Sequence, residues 1–132
     1  MKLVIGGYSQ GKLSYILQNN DTNNYVIFDG VLPEENILQE INMQEKTIII
    51  NHFHNWVRNC MIQHENPEKE ILTFISKNPT SIIISDEIGN GIVPIDVFER
   101  EYREGLGRIL VELASMANEV VRVICGIGQK IK

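Results

Sequence analysis

A doubly wound α/β domain, with a mostly parallel sheet of about five strands and helices on both faces, is predicted by three observations. Short apolar runs rich in Ile and Val recur along the chain with little alternation, as in strands covered on both faces. Helical stretches separate them, which implies crossover units and a parallel sheet. A glycine-rich turn follows the first run and an acid-glycine stretch follows the fourth, so polar groups gather where buried strands end. In open parallel sheets that edge is where ligands bind.

The runs are Leu3-Val4-Ile5, Tyr25-Val26-Ile27-Phe28, Ile48-Ile49-Ile50, Ile82-Ile83-Ile84 and Val120-Val121-Arg122-Val123-Ile124. The spacing predicts helices over 12–18, 33–41, 54–63, 67–76 and 94–117, with Asn19 to Asn24 a polar turn. In the last helix Ile95, Phe98, Tyr102, Leu106, Ile109, Leu113 and Met116 form one apolar stripe, and Pro94 suits the first helical position. Gly105 and Gly107 interrupt that helix at about 1 kcal/mol each, which predicts close packing against a strand or a neighbouring subunit.

At 132 residues, 22% charged and 43% hydrophobic, the chain reads as a single soluble domain spanning 1–132. A formal charge of −5 argues against non-specific binding to nucleic acid or to an anionic membrane. No apolar run approaches a membrane span and no signal segment is visible, so a cytoplasmic protein is expected. Cys60 and Cys125 lie far apart with no CxxC spacing, which speaks against a disulfide framework or a zinc site.

Gly6-Gly7-Tyr8-Ser9-Gln10-Gly11-Lys12-Leu13 has GxxxxGK spacing between a strand and a helix, the setting of a phosphate loop. The expected fold is therefore P-loop NTPase-like. Backbone N–H groups and the helix start would cradle phosphate oxygens, and Lys12 would reach the outer phosphates. The position after the lysine normally supplies a hydroxyl to magnesium. Leu13 cannot, and Ser14, about 100° further round the helix, is expected to point elsewhere.

Asp86 and Glu87 follow the fourth run and lead into Gly89-Asn90-Gly91-Ile92-Val93-Pro94. Either acid could hold magnesium through water or orient a hydroxyl acceptor, and either could simply complement a helix dipole. No metal ligand is assigned with certainty. Asp29 is a third acid at the same sheet edge, with a turn role the plainer reading. His52 and His54 sit just past a strand end and admit metal or phosphohistidine readings beside a turn or helix-entry role, but no third ligand is evident. His64 lies in a polar turn. Tyr8 and Trp56 could stack on a base or a corrin, or belong to the core.

These motifs together resemble the bifunctional adenosylcobinamide kinase / adenosylcobinamide-phosphate guanylyltransferase family of cobalamin biosynthesis. Its loop, roughly GGARSGKS, is matched by Gly6, Gly7, Gly11 and Lys12, and its NEVGxGIVP by Glu87, Gly89, Gly91, Ile92, Val93 and Pro94. Its xRxFRDxxGR pattern is matched by Arg100, Tyr102, Arg103, Glu104, Gly107 and Arg108, and its DEV…GIGxKIK by the segment from Asn118 to Lys132. Trp56 and Asn59 fit its segment after the third strand. The resemblance implies GTP or ATP as the nucleotide, magnesium as its accompanying ion, adenosylcobinamide as acceptor and a homotrimer.

It also marks departures. The family's GMP-accepting histidine lies in an insertion between the second and third strands, and residues 29–46 here contain neither His nor Arg. Asn51 replaces an acid at the end of the third strand, and Leu110-Val111 replaces an Asn-Gln pair. The resemblance thus implies a kinase-type protein without the guanylyltransferase nucleophile. Its rival is a non-catalytic relative that binds a nucleotide or corrinoid as an assembly or regulatory subunit.

Overall fold

The computed structural model describes residues 1–18, 24–88 and 95–132. The elements run β1 (Lys2–Gly6), α1 (Lys12–Gln18), β2 (Tyr25–Asp29), α2 (Glu35–Met43), β3 (Thr47–Asn51), α3 (Phe53–Ile62), α4 (Pro67–Lys77), β4 (Ile82–Asp86), α5 (Val97–Met116), β5 (Glu119–Ile124) and β6 (Ile127–Lys130). The fold is the expected P-loop-like, doubly wound α/β arrangement, with one strand more than the apolar runs suggested. The six strands form one sheet in the order β2-β3-β4-β1-β5-β6, parallel except for β6, which pairs antiparallel with β5.

Strand order and crossover handedness explain where the helices lie. The β1–β2 connection carries the chain from the middle of the sheet to one edge, and the later parallel connections run the opposite way across it. Right-handed crossovers then place α1 on one face and α2 to α5 on the other. The core agrees. Ile16 of α1 packs with Val4, Ile49, Ile84 and Val121 on one face. On the other, Leu38, Phe53, Ile71, Leu106 and Leu113 cover Leu3, Ile50 and Ile83. At the neighbouring strands β1 and β4 the chain leaves toward opposite faces, which opens a crevice at their carboxyl ends.

Local signals set the helix starts. Asn66 caps α4 by accepting from the Lys69 N–H (3.2 Å), with Pro67 following in its first turn. Asp96 caps α5 by accepting from the Glu99 N–H (3.1 Å). This cap starts α5 at Val97, after the described residues Ile95 and Asp96 that the spacing includes in the helix; Pro94 and the rest of 89–94 lie outside the described residues, as do 19–23 of the polar turn. Within the stripe Tyr102, Leu106, Ile109 and Leu113 are buried, but Ile95 precedes the helix and Met116 ends it, and both are exposed. Gly105 faces Met61 of α3, where an added Cβ would lie 3.5 Å from its sulfur, whereas Gly107 faces open space. Since 3.5 Å is an ordinary contact, close packing within the chain requires glycine at neither position.

Candidate functional site

The turn after β1 and the end of β4 meet because Gly6 pairs in register with Asp86. The Glu87 N–H extends that contact by donating to the Gly6 carbonyl (2.8 Å). Lys12, buried at 8% exposure, curls back into the loop it follows. Its Nζ donates to the Gly7 carbonyl (2.7 Å) and lies 2.6 Å from Asp86 Oδ1. A hollow of about 320 Å³ opens beside this pair, lined by residues Tyr8 to Ser14 with Asn51, His52 and Asp86. Ser14, expected to point away, borders it as well. Tyr8 is largely exposed at its edge, and Leu13 lines it while packing in part against the core.

The loop is held from outside by the turn between β5 and β6. Gln10 accepts the Cys125 N–H on its side-chain oxygen (2.8 Å) and the Gly126 N–H on its backbone carbonyl (2.8 Å). Gly11 has φ +83, and a Cβ there would meet Gly126 at 3.5 Å. That distance is an ordinary contact, so it is the left-handed geometry that explains glycine at that position.

Asp86 and Glu87 take different surroundings. Asp86 lines the hollow with Lys12, whereas the Glu87 carboxylate pairs with Arg122 of β5 (3.0 Å). On the far side of Asp86 stands His54. Its Nδ1 accepts the Asp86 N–H (3.1 Å), so the neutral ring carries its proton on Nε2, which faces Asp86 Oδ2 at 3.4 Å. Burial lowers the His54 pKa, with Asp86 opposing that shift. The His54 carbonyl accepts from the buried Tyr102 hydroxyl (2.9 Å), whose pKa burial pushes up to about 12.

His52 packs against His54, their rings edge to face with centroids 5.7 Å apart. It occupies the N-cap of α3 with φ 51, a left-handed conformation costing roughly 1–3 kcal/mol for a non-glycine residue. Its side chain caps nothing. Instead Nδ1 hydrogen-bonds Asp29 Oδ1 across the ends of β2 and β3. Asn51, in register with Asp29, donates its amide to that same oxygen (3.0 Å). The sequence pattern did not associate Asp29 with His52; the period-2 strand register and a one-residue step past β3 were the available signals.

Trp56 belongs to the core. It stacks on Phe53 at 5.5 Å and lines a larger hollow of about 500 Å³ among α2, α3 and α4. That hollow shares no lining residue with the one at the loop and is bordered by a Lys77–Glu35 pair at 3.5 Å. Size alone would favour it, but the convergent charged groups at the sheet's carboxyl edge favour the smaller one. Cys60, Glu65 and Glu70 bring a thiol and two carboxylates within 4.8 Å, yet burial and the two acids push the thiol to about 12 and keep it protonated at neutral pH.

The family model for cobinamide kinase / cobinamide phosphate guanyltransferase matches residues 18–131. The chain belongs to this family. The matched span includes β2 through β6, and the glycine loop with Lys12 precedes it. Among curated relatives, the bifunctional adenosylcobalamin biosynthesis protein of Escherichia coli is 37% identical over 79 residues, 58% of this chain and 44% of that protein. The protein of the same description from Salmonella typhimurium is 43% identical over 51 residues, 39% of this chain and 28% of that protein. The aligned part of the chain thus spans less than half the length of either relative.

Proposed function

We propose that the protein binds GTP or ATP in the hollow at the loop and transfers its terminal phosphoryl group to the hydroxyl of a cobinamide-type acceptor, without the guanylyl transfer that the family name also includes. The observation that carries this reading is the Lys12 ammonium, buried between the Gly7 carbonyl and the Asp86 carboxylate at the crevice between β1 and β4. A cation fixed there can shift from the carboxylate to a phosphate oxygen, and backbone N–H groups of Gly6 to Leu13 can take the remaining oxygens. Phosphoryl transfer asks mainly for positioning and charge neutralisation, which such a loop provides. The missing second step rests on the short interval between β2 and β3, which has no histidine.

Magnesium accompanying the nucleotide would be held chiefly by the phosphates and Asp86, where it would neutralise charge developing on the transferred group. Asp86 fits that part, but Leu13 offers no ligand atom and Asn51 offers only a neutral amide oxygen, its Nδ2 being committed to Asp29. Glu87 is engaged by Arg122, which makes Asp86 the stronger candidate of the two acids. By the same family resemblance the protein works as one domain, in the cytoplasm, as a homotrimer.

Leu13 also favours a second reading, a non-catalytic relative that binds a nucleotide or corrinoid in an assembly or regulatory role, because a partly buried leucine removes the usual metal ligand. Calorimetric titration with GTP and ATP, with and without magnesium, followed by assay of phosphoryl transfer to adenosylcobinamide separates the two. Binding with transfer supports the kinase; binding without transfer supports the second reading; no binding of either nucleotide rejects both nucleotide-based readings.

A further inference from the structure

We propose that His52, oriented by Asp29, is the general base that takes the proton from the acceptor hydroxyl. The inference rests on the kinase reading and adds a residue to it. Three observations on His52 converge. It holds a left-handed backbone conformation at a helix N-cap, where Ser, Thr, Asp or Asn would stabilise the helix, yet its side chain gives no cap. Ser9, Glu45, His64 and Cys125 also adopt positive φ, so the weight lies on the cap position being held by a side chain that bonds elsewhere. Its Nδ1 is bonded to Asp29, which also accepts from Asn51, so the ring is fixed at the strand ends. The ring lines the same hollow as Lys12 and Asp86, and Nε2 makes no hydrogen bond to a described residue.

An imidazole with a carboxylate on Nδ1 and a free Nε2 is the arrangement of a general base. In the tautomer that donates Nδ1–H to Asp29, the lone pair is on Nε2 of a ring that lines the hollow. Across it Lys12 can engage the outer phosphates, so an acceptor hydroxyl between Lys12 and His52 would lie next to the phosphorus it attacks. In the step, the acceptor oxygen forms a bond to the terminal phosphorus. The bond from that phosphorus to its bridging oxygen breaks, and the nucleoside diphosphate leaves with the electron pair. The acceptor proton passes to His52 Nε2, and Asp29 balances the imidazolium. The groups that face His52 are Asp29 from β2, Asn51 from β3 and the edge of His54 from α3, with Lys12 and Asp86 sharing the hollow. Asp29 acts only through the ring and is a positioning residue.

The test uses the full chain, radiolabelled GTP or ATP with magnesium, and adenosylcobinamide as the acceptor probe. His52→Ala should lower kcat by about 10²- to 10⁴-fold while nucleotide affinity stays within about threefold. Added imidazole should restore transfer in that variant, which a merely structural defect would not permit. Asp29→Asn should lower kcat in the parent and change it little in the His52→Ala background, because the two groups act as a unit. Unchanged transfer by His52→Ala overturns the proposal and leaves the kinase reading standing. Label found on His52 itself overturns it in favour of a nucleophile. If the parent binds nucleotide but transfers nothing, both this proposal and the kinase reading fail while nucleotide binding stands. If the parent binds no nucleotide, all three fail.

Discussion

Removing Lys12 should cost less than one full phosphate contact, because the same ammonium is already paired with Asp86 before any ligand arrives. Asp86 is largely buried and lies 2.6 Å from Lys12 Nζ beside the loop that receives phosphate. In Lys12→Ala the charge-assisted contact to phosphate is lost, about 1.5–3 kcal/mol. In the parent, however, the ammonium must partly leave Asp86 to reach phosphate, and the weakened pair offsets part of that contact. The repulsion between Asp86 and the anion is the same with and without Lys12 and cancels. Lys12→Ala should therefore cost less than about 10-fold in affinity for metal-free nucleotide. In an Asp86→Asn background no pair is given up, so Lys12→Ala should cost the whole contact there, about 10- to 100-fold. Asp86→Asn alone should strengthen metal-free binding, since it releases Lys12, and weaken binding in magnesium, since it removes a ligand to the ion. Calorimetric titration of the four proteins, first in chelator and then in magnesium, measures each corner of the cycle. Additive effects, with a coupling under about 0.5 kcal/mol, would refute the reasoning, as would a Lys12→Ala loss larger in the parent than in the Asp86→Asn background.

Incubation with GTP should leave the intact mass unchanged, because the interval between β2 and β3 carries no histidine to take up GMP; an acid-labile GMP adduct on His52 or His54 would contradict this. Alkylation of the native protein should modify the exposed Cys125 and spare Cys60, whose buried thiol is pushed up to about 12, and two fast-reacting thiols would refute that burial. Stability should fall as pH drops below about 6.5, because His54 is held below its ordinary range by burial and the unfolded chain takes up a proton that the folded one resists. His54→Gln should flatten the change in Tm between about pH 7.5 and about pH 5.5, and an equal change in both proteins would exclude His54 as its source.

The strands were legible because buried parallel strands are written as runs of Ile and Val, and the glycine loop because its spacing and position between strand and helix are local. The strand β6 was not. Ile127, Gln129 and Lys130 are exposed, Gly128 is small to admit the Tyr15 ring, and the strand pairs on one side only, so no apolar run marks it. The ends of the α5 stripe were overread for a similar reason. Periodicity reports a face, but it does not report where the sheet beneath that face stops, and Ile95 and Met116 lie beyond it.

At the site, the types of residue were legible and their partners were not. Asp86 and Glu87 are adjacent in sequence and equivalent by composition, yet the β1–β4 register turns one toward Lys12 and the other toward Arg122. Strand order decides this, because β1 lies between β4 and β5, and β5 enters the chain after the last helix. Asp29 and His52 were likewise read separately, since a register between β2 and β3 is needed to bring them together. The pairing also changes how the substitution at Asn51 is understood. As a strand-end amide it is a poorer metal ligand than an acid, but as a donor to Asp29 it holds the carboxylate that orients His52. An acid at position 51 would place a second negative charge on Asp29 and compete for the same ring. Asparagine there is therefore compatible with a histidine at position 52, because its Nδ2 supports the Asp29 oxygen that the ring also bonds.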